Sequence, residues 1–339
     1  MKNWLCKLIK KSVFMLCFAL ANLQSQAQVL LKKQTTLMGS VFNFTLVDKD
    51  SITAKNNMIA VIAEIERIEN LISEWRPQTQ ISEVNKNAGI QPVKVDLEVF
   101  ELTKRALEYS KITDGAFDIS IVALDKIWKF DGSMDSLPNE LAIAKSVANV
   151  GYQNIMLDSV NSTIYLAKKG MKIGFGSIGK AYAADKGKAL MIANGVKGGI
   201  VNASGDLTTW GLQPSGKPWL VGITNPFKRH RLIKTLKMNE NAVVTSGSYE
   251  KFVVFNGKRY SHIINPATGY PATGLCSVTV FGPNAETANG LSTSMMVLGQ
   301  TEGLFLLQKF PDYSCIMITD NGKVIKSKNL SIKKFKAKL

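Results

Sequence analysis

The chain has 339 residues, of which 45% are hydrophobic, and this composition excludes an intrinsically disordered protein. Its formal net charge of +16 would suit a polyanionic partner, but seven lysines follow Asp320 in a tail without acidic residues. The sequence shows no basic face with interleaved aromatic residues, which argues against a nucleic-acid partner. Residues 28–339 are predicted to form one domain with a basic tail from about residue 321 to 339.

Residues 1–27 have the pattern of a secretory signal peptide. Four lysines precede an apolar run at residues 13–21, and residues 25–27 supply a small-x-small cleavage site before Gln28. Cys17 suggests a lipoprotein, but bulky residues stand where small ones precede a lipidated cysteine, so the pattern argues against lipidation. We therefore expect an exported protein, periplasmic or at the outer face of the cytoplasmic membrane.

The first half of the remaining chain predicts a strand, three helices and a hairpin. The strand covers residues 35–46 and is interrupted by Met38 and Gly39, where the glycine allows a close backbone approach. A helix at about residues 55–72 follows, because isoleucines recur there at helical spacing. Those isoleucines are Ile59, Ile62, Ile65, Ile68 and Ile72. The later elements are helices at about 97–113 and 139–148 and a hairpin at 156–167.

Two residues in this half are candidates for ligand contact. Trp75, beside Arg76 in the loop after the first helix, could cover the face of a planar ring or could simply cover the helix end. Asp118 could be a helix cap or a ligand-binding acid, and the pattern favours the cap.

Residues 172–185 contain a G-x-G-x-x-G sequence, predicted to lie between a strand and a helix with another strand at 199–206. Its glycines are Gly174, Gly176 and Gly179. This is the local context of a dinucleotide-binding fingerprint, but no series of parallel β-α-β units accompanies it. The pattern predicts either a backbone that approaches a phosphate, with helix amides and Lys180 nearby, or a tight packing turn.

The second half predicts a β-rich region and two helices. Two strands at 210–224 share a turn at 214–218, and four more form a meander. The meander strands lie at 242–244, 252–256, 259–264 and 277–281. Helices from residue 288 and at 301–309 precede a last strand at 315–319. His230 is interpreted as a residue of a surface loop. Cys276 and Cys315 lie in apolar strands and could form a disulfide or remain buried thiols.

The stretch 244–299 is the strongest candidate for a binding site. Small and hydroxyl residues lie beside His262, between apolar runs that end in Pro and Gly turns. Asn289 and Thr293 are four residues apart at the predicted start of an apolar helix, so both project from one face near its positive end. An anion or a metal-bound phosphate could bind there.

Several segments, taken in order, resemble the ApbE family of exported flavin transferases, which move FMN from FAD onto a protein threonine. The matching segments are 38–40, 73–75, 82–85, 115–118, 176–185, 201–206, 245–249, 262–271 and 289–293. The resemblance implies a mixed α/β (α+β) fold of two interleaved T-fold-like halves with FAD and Mg²⁺ in the cleft between them. It also implies an acceptor protein that carries the target threonine at the membrane.

The resemblance further implies roles for individual residues. The residues expected around FAD are Met38, Trp75, Ala116, Phe117, Asp118, Lys180, His262 and Ile264. The groups expected at Mg²⁺ are the backbone carbonyl of Ser177 and the side chains of Asn289 and Thr293. The cation would neutralise the FAD pyrophosphate while the threonine hydroxyl attacks the FMN phosphorus and AMP departs.

Two positions depart from the family's pattern, because aspartate is usual at Asn289 and frequent at Gly174. Asparagine still offers an oxygen, but one negative charge is lost and no general base remains at that position. The predicted catalytic residues are therefore Asn289 and His262, although His262 could instead contact the ligand without proton transfer. The alternatives are an FAD-binding protein or an FAD pyrophosphatase.

A more distant alternative is a serine acyl-transferase. Ser177 and Lys180 match the S-x-x-K pattern of penicillin-interacting enzymes, but the Ser-Asp-Asn and Lys-Thr-Gly companion motifs are missing from the sequence.

Overall fold

The computed structural model describes residues 28–124, 127–248 and 252–330, apart from the side chains of Arg229 and Lys258. The predicted signal peptide and the final residues of the basic tail, 331–339, lie outside this part of the chain. Within it, no helix combines the length and the apolar character needed to cross a membrane.

Fifteen strands and six α-helices make up the described chain. The strands are β1 Val29–Leu37, β2 Ser40–Asp48, β3 Val93–Lys94, β4 Ile155–Asp158, β5 Thr163–Leu166, β6 Gly198–Ala203, β7 Asp206–Gly211, β8 Trp219–Asn225, β9 Lys228–Met238, β10 Ala242–Gly247, β11 Phe252–Phe255, β12 Lys258–Ser261, β13 Leu275–Gly282, β14 Ser314–Thr319 and β15 Val324–Lys326. The helices are α1 Ser51–Ile72, α2 Gln80–Lys86, α3 Leu97–Ile112, α4 Glu140–Ser146, α5 Ile178–Ala193 and α6 Ala285–Gln308.

Eight strands form one antiparallel sheet in the order β1-β2-β6-β7-β10-β13-β14-β15. The sheet divides into two halves of like topology. In each half, two strands are followed by a helix or helices and then by two more strands, and the sheet order follows the chain order. The halves meet where β7 pairs with β10 over three residues, ending at Val244 opposite Asp206. This arrangement confirms the predicted mixed α/β fold with two related halves.

The first half encloses a core between the sheet and helices α1 and α5. Asp50 caps α1 by accepting hydrogen bonds from Ile52 N and Thr53 N. The buried side of α1 carries Val61, Ile65, Ile68 and Ile72 together with Met58. Each aliphatic side chain that is fully buried there stabilises the fold by about 1.5–3 kcal/mol relative to exposure. The predicted helix is confirmed, and Ile59 lies on its outer side, where it is 67% exposed.

The second half packs α6 against β10, β13 and β14. Two helices were predicted here, and they are joined into one element with a kink at Gly299, whose φ of 78° is left-handed. The element begins at Ala285 rather than at residue 288. Asn289 and Thr293 therefore lie beyond the first turn, and the prediction that they sit at the positive end of the helix was wrong.

Several strand predictions also need correction. The predicted meander is interrupted, because β10 pairs directly with β13 while β11 and β12 form a separate hairpin. The turn at 214–218 joins two sheets, since β8 pairs only with β9. His230 is exposed as predicted, but it lies in β9 rather than in a loop.

The cysteines and the start of the basic tail are well ordered parts of the second half. Cys276 and Cys315 are buried free thiols, which settles the alternative between thiols and a disulfide. Burial raises the pKa of the Cys315 thiol to about 12. The tail begins with regular structure, because β15 pairs with β14 and Ser327 donates its backbone N–H to Cys315 O.

Candidate active site

Three neighbouring cavities lie in the region where the two halves meet, and together they are called the cleft. Their volumes are about 620, 360 and 460 Å³, and they share lining residues. The first two share Glu74 and Trp75, and the second and third share Gly176 and Lys180. Ile264 borders the first and the third.

The glycine-rich segment forms the middle wall of this cleft. A strand was predicted before the helix, but residues 171–175 belong to no strand, and the side chain of Asn85 holds this segment in place. The Asn85 amide donates to Ile173 O at 2.9 Å and accepts from Ile173 N at 2.7 Å. A Cβ added to Gly174 would lie 2.9 Å from the carboxyl carbon of Glu74, so this position has no room for a larger side chain without rearrangement. The glycine pattern thus serves close packing, and the sheet around it is antiparallel rather than of the dinucleotide-binding type.

A cluster of three oxygens lies in the third cavity. The Ser177 hydroxyl donates to Asn289 Oδ1 at 2.8 Å and lies 3.0 Å from Thr293 Oγ1. The residues come from the start of α5 and from two successive turns of α6, and all three line the cavity. The structure therefore brings together the three residues that were predicted to hold a metal.

Asp206 joins this cluster at the first residue of β7. The Asn289 amide nitrogen donates to Asp206 Oδ2 at 3.2 Å. Both side chains are only 5% exposed, yet both border the third cavity. The family usually has an aspartate where this chain has Asn289, and here the carboxylate of Asp206 is hydrogen-bonded to that asparagine.

Ser177 occupies the N-cap position of α5, but its side chain makes no capping hydrogen bond. Serine is a preferred cap because its hydroxyl can accept from the first helical amides. Here the hydroxyl is turned towards α6 and donates to Asn289 instead. The start of α5 is consequently left without a side-chain acceptor from Ser177.

Five of the predicted FAD-contacting side chains also border the cleft. They are Met38, Trp75, Lys180, His262 and Ile264. Trp75 is 74% exposed, which favours a ring-covering role over the alternative of covering the helix end. Lys180 donates from Nζ to Gly176 O at 3.2 Å, and His262 packs edge-on against Phe130 with ring centroids 6.5 Å apart. Met38 has a φ of 50° in the two-residue turn between β1 and β2.

The remaining predicted FAD contacts lie in the protein interior. Ala116, Phe117 and Asp118 are 8%, 2% and 7% exposed, which leaves little side-chain surface for a ligand. Asp118 accepts from Ser120 N at 2.7 Å and from Tyr152 N at 2.8 Å, so it caps the short 3₁₀ helix Ile119–Ala123. Burial raises the pKa of its carboxyl. The cap interpretation is confirmed, and ligand contact through these side chains stays a prediction.

Glu74 is an acid that lines both the first and the second cavity. Burial raises the pKa of the Glu74 carboxyl, and the positive charge of Lys180 opposes this effect. The carboxyl lies beside the glycine segment, with Oε1 3.7 Å from the position of a Cβ on Gly176. The second cavity thus places a partly desolvated acid, Glu74, near the positive charge of Lys180.

The oxygen cluster suits a hard cation that also binds phosphate. In the described residues no group of three or more His, Cys, Asp or Glu side chains could hold a metal ion. Mg²⁺, however, commonly binds through few protein oxygens and takes its other ligands from phosphates and water. The neutral oxygens of Asn289 and Thr293, beside the carboxylate of Asp206, fit that chemistry, and the Ser177 backbone carbonyl would complete the set.

Sequence reasoning missed three polar residues of the cleft, Glu74, Asp206 and Ser246. Each lay within a family segment, but its role could not be assigned. Ser246 Oγ contacts Ser292 Oγ at 2.8 Å and so connects the end of β10 to α6. A local signal existed for Asp206, because it is an acid directly after an apolar strand. Tyr249, in the same segment as Ser246, lies outside the described residues.

Comparison with known proteins agrees with this geometry. A family model described as the ApbE family matches residues 38–317. A protein from Klebsiella pneumoniae named FAD:protein FMN transferase is 32% identical over 293 residues, which cover 86% of this chain and 90% of the relative. One from Treponema pallidum with the same name is 30% identical and covers 78% of this chain and 77% of its own length.

Solved structures of similar fold are ApbE proteins as well. The ApbE protein of Thermotoga maritima superimposes with a TM-score of 0.81 at 28% identity, covering 91% of this chain and 100% of the other. The flavinyl transferase ApbE of Pseudomonas stutzeri, in its apo form, gives a TM-score of 0.80 at 26% identity, covering 92% and 98%. The sequence resemblance is therefore confirmed, and this chain belongs to the ApbE family.

Proposed function

We propose that this protein is an FAD:protein FMN transferase that uses Mg²⁺ and attaches FMN to a threonine of an acceptor protein. Its family membership and the names of its relatives support flavin transfer from FAD. The observation that carries the metal-dependent part is the cluster of Ser177, Asn289 and Thr293 oxygens in the cleft. The flavin would occupy the neighbouring cavities, which share lining residues with the third.

The reaction requires one new bond and one broken bond. The threonine oxygen forms a bond to the FMN phosphorus, the bond from that phosphorus to the bridging oxygen breaks, and AMP leaves with the bridging oxygen. The threonine proton passes to a base or to water. Bound Mg²⁺ would neutralise charge on the phosphates. Lys180, which lines the third cavity, would contribute a further positive charge.

His262 and Asn289 are the predicted catalytic residues, and they differ in their ability to accept the threonine proton. His262 borders the cavity that contains Asn289, and its side chain is exposed. Asn289 itself cannot act as a base at neutral pH, because an amide has no accessible proton-accepting pKa. We therefore keep His262 as the proposed base, with flavin contact without proton transfer as its alternative.

The serine acyl-transferase alternative lacks geometric support. Ser177 donates its hydroxyl to Asn289, while Lys180 donates to Gly176 O. An S-x-x-K enzyme needs the lysine beside the serine hydroxyl, where it can activate the nucleophile. The pairing seen here instead directs the serine towards the oxygen cluster.

The proposed function is tested by incubating the protein with FAD, Mg²⁺ and an acceptor that carries a candidate threonine. We expect a flavin-fluorescent acceptor band after denaturing electrophoresis and one AMP released per FMN attached. Release of AMP without labelling would indicate a pyrophosphatase, and intact bound FAD would indicate a binding protein. Either outcome would contradict the transferase proposal. An acceptor with valine in place of the threonine is the matched control.

We also propose that the protein acts outside the cytoplasm on an acceptor at the membrane. Support comes from the signal-like pattern of residues 1–27. Cell fractionation followed by N-terminal sequencing should find a periplasmic protein that begins at Gln28. An intact N-terminus in the cytoplasmic fraction would contradict export, and a lipid-modified Cys17 would contradict a protein without a lipid anchor.

A further inference from the structure

We propose that Asp206 is a positioning residue that fixes the side-chain amide of Asn289 with its carbonyl oxygen facing the metal position. This inference rests on the proposed function, because it concerns the same site. It assigns a role to the carboxylate that borders the third cavity, and it addresses how an asparagine can serve where a carboxylate is usual.

An asparagine differs from an aspartate because its two terminal atoms are not equivalent. One is an oxygen, which can bind a cation, and the other is an NH₂ group, which repels it. A rotation of the amide by 180° exchanges them at almost the same shape. Asn289 is therefore a useful ligand only if its surroundings select one of the two orientations.

Asp206 makes that selection by its chemistry. Its Oδ2 lies 3.2 Å from the Asn289 amide nitrogen, and an ionised carboxylate can only accept hydrogen bonds. In the rotated orientation Asn289 Oδ1 would face this carboxylate, so two acceptors would meet in a site where both side chains are buried. A lost charge-assisted hydrogen bond of this kind disfavours the rotated form by about 10- to 100-fold.

The groups on the other side of the amide agree with this orientation. The Ser177 hydroxyl donates its single proton to Asn289 Oδ1 at 2.8 Å. The 3.0 Å contact between Ser177 Oγ and Thr293 Oγ1 must then be donated by Thr293. Donation thus runs in one direction, from Thr293 through Ser177 and Asn289 to Asp206. A carboxylate at the end of the chain sets the direction of every bond before it.

The test measures how much Mg²⁺ tightens FAD binding, from titrations of flavin fluorescence with Mg²⁺ or with EDTA. In Asp206→Asn the new amide can either accept or donate, so Asn289 is no longer held in one orientation. We expect the Mg²⁺-dependent gain in FAD affinity to fall by about 10- to 100-fold, as for other groups that orient a metal ligand. The affinity in EDTA should stay within about twofold.

The matched control exchanges the two residues, combining Asp206→Asn with Asn289→Asp. The carboxylate at position 289 then has two oxygens and needs no orientation, and the amide at 206 can donate to it. We expect the Mg²⁺-dependent gain to return to within about threefold of the original protein. This rescue separates positioning from a general structural role, which the second substitution could not repair.

Three results would overturn the inference. The first is an Asp206→Asn variant with the full Mg²⁺-dependent gain, the second is an equal loss of FAD affinity in EDTA, and the third is no recovery in the exchanged variant. Transfer to the acceptor by the unsubstituted protein is measured in parallel. If transfer occurs and one of these results is found, only the role of Asp206 fails. If FAD binding ignores Mg²⁺ in the unsubstituted protein, the metal-dependent function and this inference both fail.

Discussion

Helices α5 and α6 pack against each other, but their N-termini are capped differently. At α6, the Asp185 carboxylate accepts from Ala285 N at 3.0 Å and from Glu286 N at 2.9 Å, and Asn284 accepts from Thr287 N. At α5, the Ser177 side chain accepts from no helical amide and is directed to the cleft. Side chains of the protein thus cap the N-terminus of α6. At the N-terminus of α5, the Ser177 side chain provides no cap and belongs to the candidate active site instead.

Within α6, the residues that stabilise the helix and the residues that line the cleft lie in different turns. The first turn of α6 is fixed by full charges, since Glu286 also pairs with Arg105 at 2.6 Å. The next turns carry the neutral oxygens of Asn289 and Thr293 into the cleft. Charged contacts hold the first turn in place, and the oxygens of Asn289 and Thr293 in the following turns line the cavity, where a cation could bind.

The largest effect should come from removing one oxygen on the cleft side of α6. Thr293→Val keeps the shape of the side chain but removes the hydroxyl that contacts Ser177. We expect the Mg²⁺ concentration for half-maximal FMN transfer to rise by about 10- to 100-fold. Thr287→Val is the matched control on the other side of the helix, where the hydroxyl contacts Tyr109. It should cost about 1 kcal/mol of stability and leave transfer unchanged. Equal effects of the two variants on transfer would contradict a special role for the cleft side of α6.

An intermediate effect is expected from the carboxylate that closes α6. Burial raises the pKa of Asp185 from 3.8 to about 6, with Glu286 adding to the shift and Lys188 opposing it. Between these pH values the folded protein binds more protons than the unfolded chain, so stability falls as pH rises from about 4 to 6. The fall should be about 1–3 kcal/mol. Urea unfolding of the original protein and of Asp185→Asn across this range should show a fall in stability that is smaller in the variant by this amount.

The smallest effects should come from alanine variants of the two N-cap residues, Asn284 and Ser177. One variant should change stability and the other the Mg²⁺ requirement. Asn284→Ala removes a capping bond and should lower the free energy of unfolding by about 1 kcal/mol, with transfer unchanged. Ser177→Ala removes no capping bond, so stability should change by less than about 0.5 kcal/mol. The Mg²⁺ requirement should rise severalfold, because Asn289 loses its donor. A thermal shift assay combined with the transfer assay measures both, and a destabilised Ser177→Ala protein would contradict the open terminus.

The sequence predicted those features that depend on neighbouring residues. The spacing of Ile65, Ile68 and Ile72 located α1, and the cleft residues Asn289 and Thr293 were paired correctly because a helix brings positions four apart together. The start of α6 was placed three residues late, since the polar residues before Ala288 gave no apolar repeat. The helix begins after its N-cap residue, Asn284. This capping signal is local, but the prediction relied on the apolar pattern instead.

Other features depend on partners far apart in the chain, which local patterns cannot specify. Asp206 and Asn289 are 83 residues apart, and only the pairing of β7 with β10 and the packing of α6 bring them into contact. Likewise, β10 pairs with β13 across the β11–β12 hairpin, so a chain-order meander was the natural but wrong prediction. The family resemblance supplied most site residues, whereas the geometry between them required the fold.

The two halves of the large sheet also differ in how their strands are connected along the chain. In the second half, only α6 and its short connections separate the paired strands β13 and β14 along the chain. In the first half, residues 49–197 separate the paired strands β2 and β6. Pairing of distant segments is slow, because the entropy of closing the intervening loop is lost before contacts form. We therefore expect amides of β13 and β14 to become protected from hydrogen exchange earlier in refolding than those of β2 and β6. The cleft, which needs both halves, would then be among the last parts of the molecule to form.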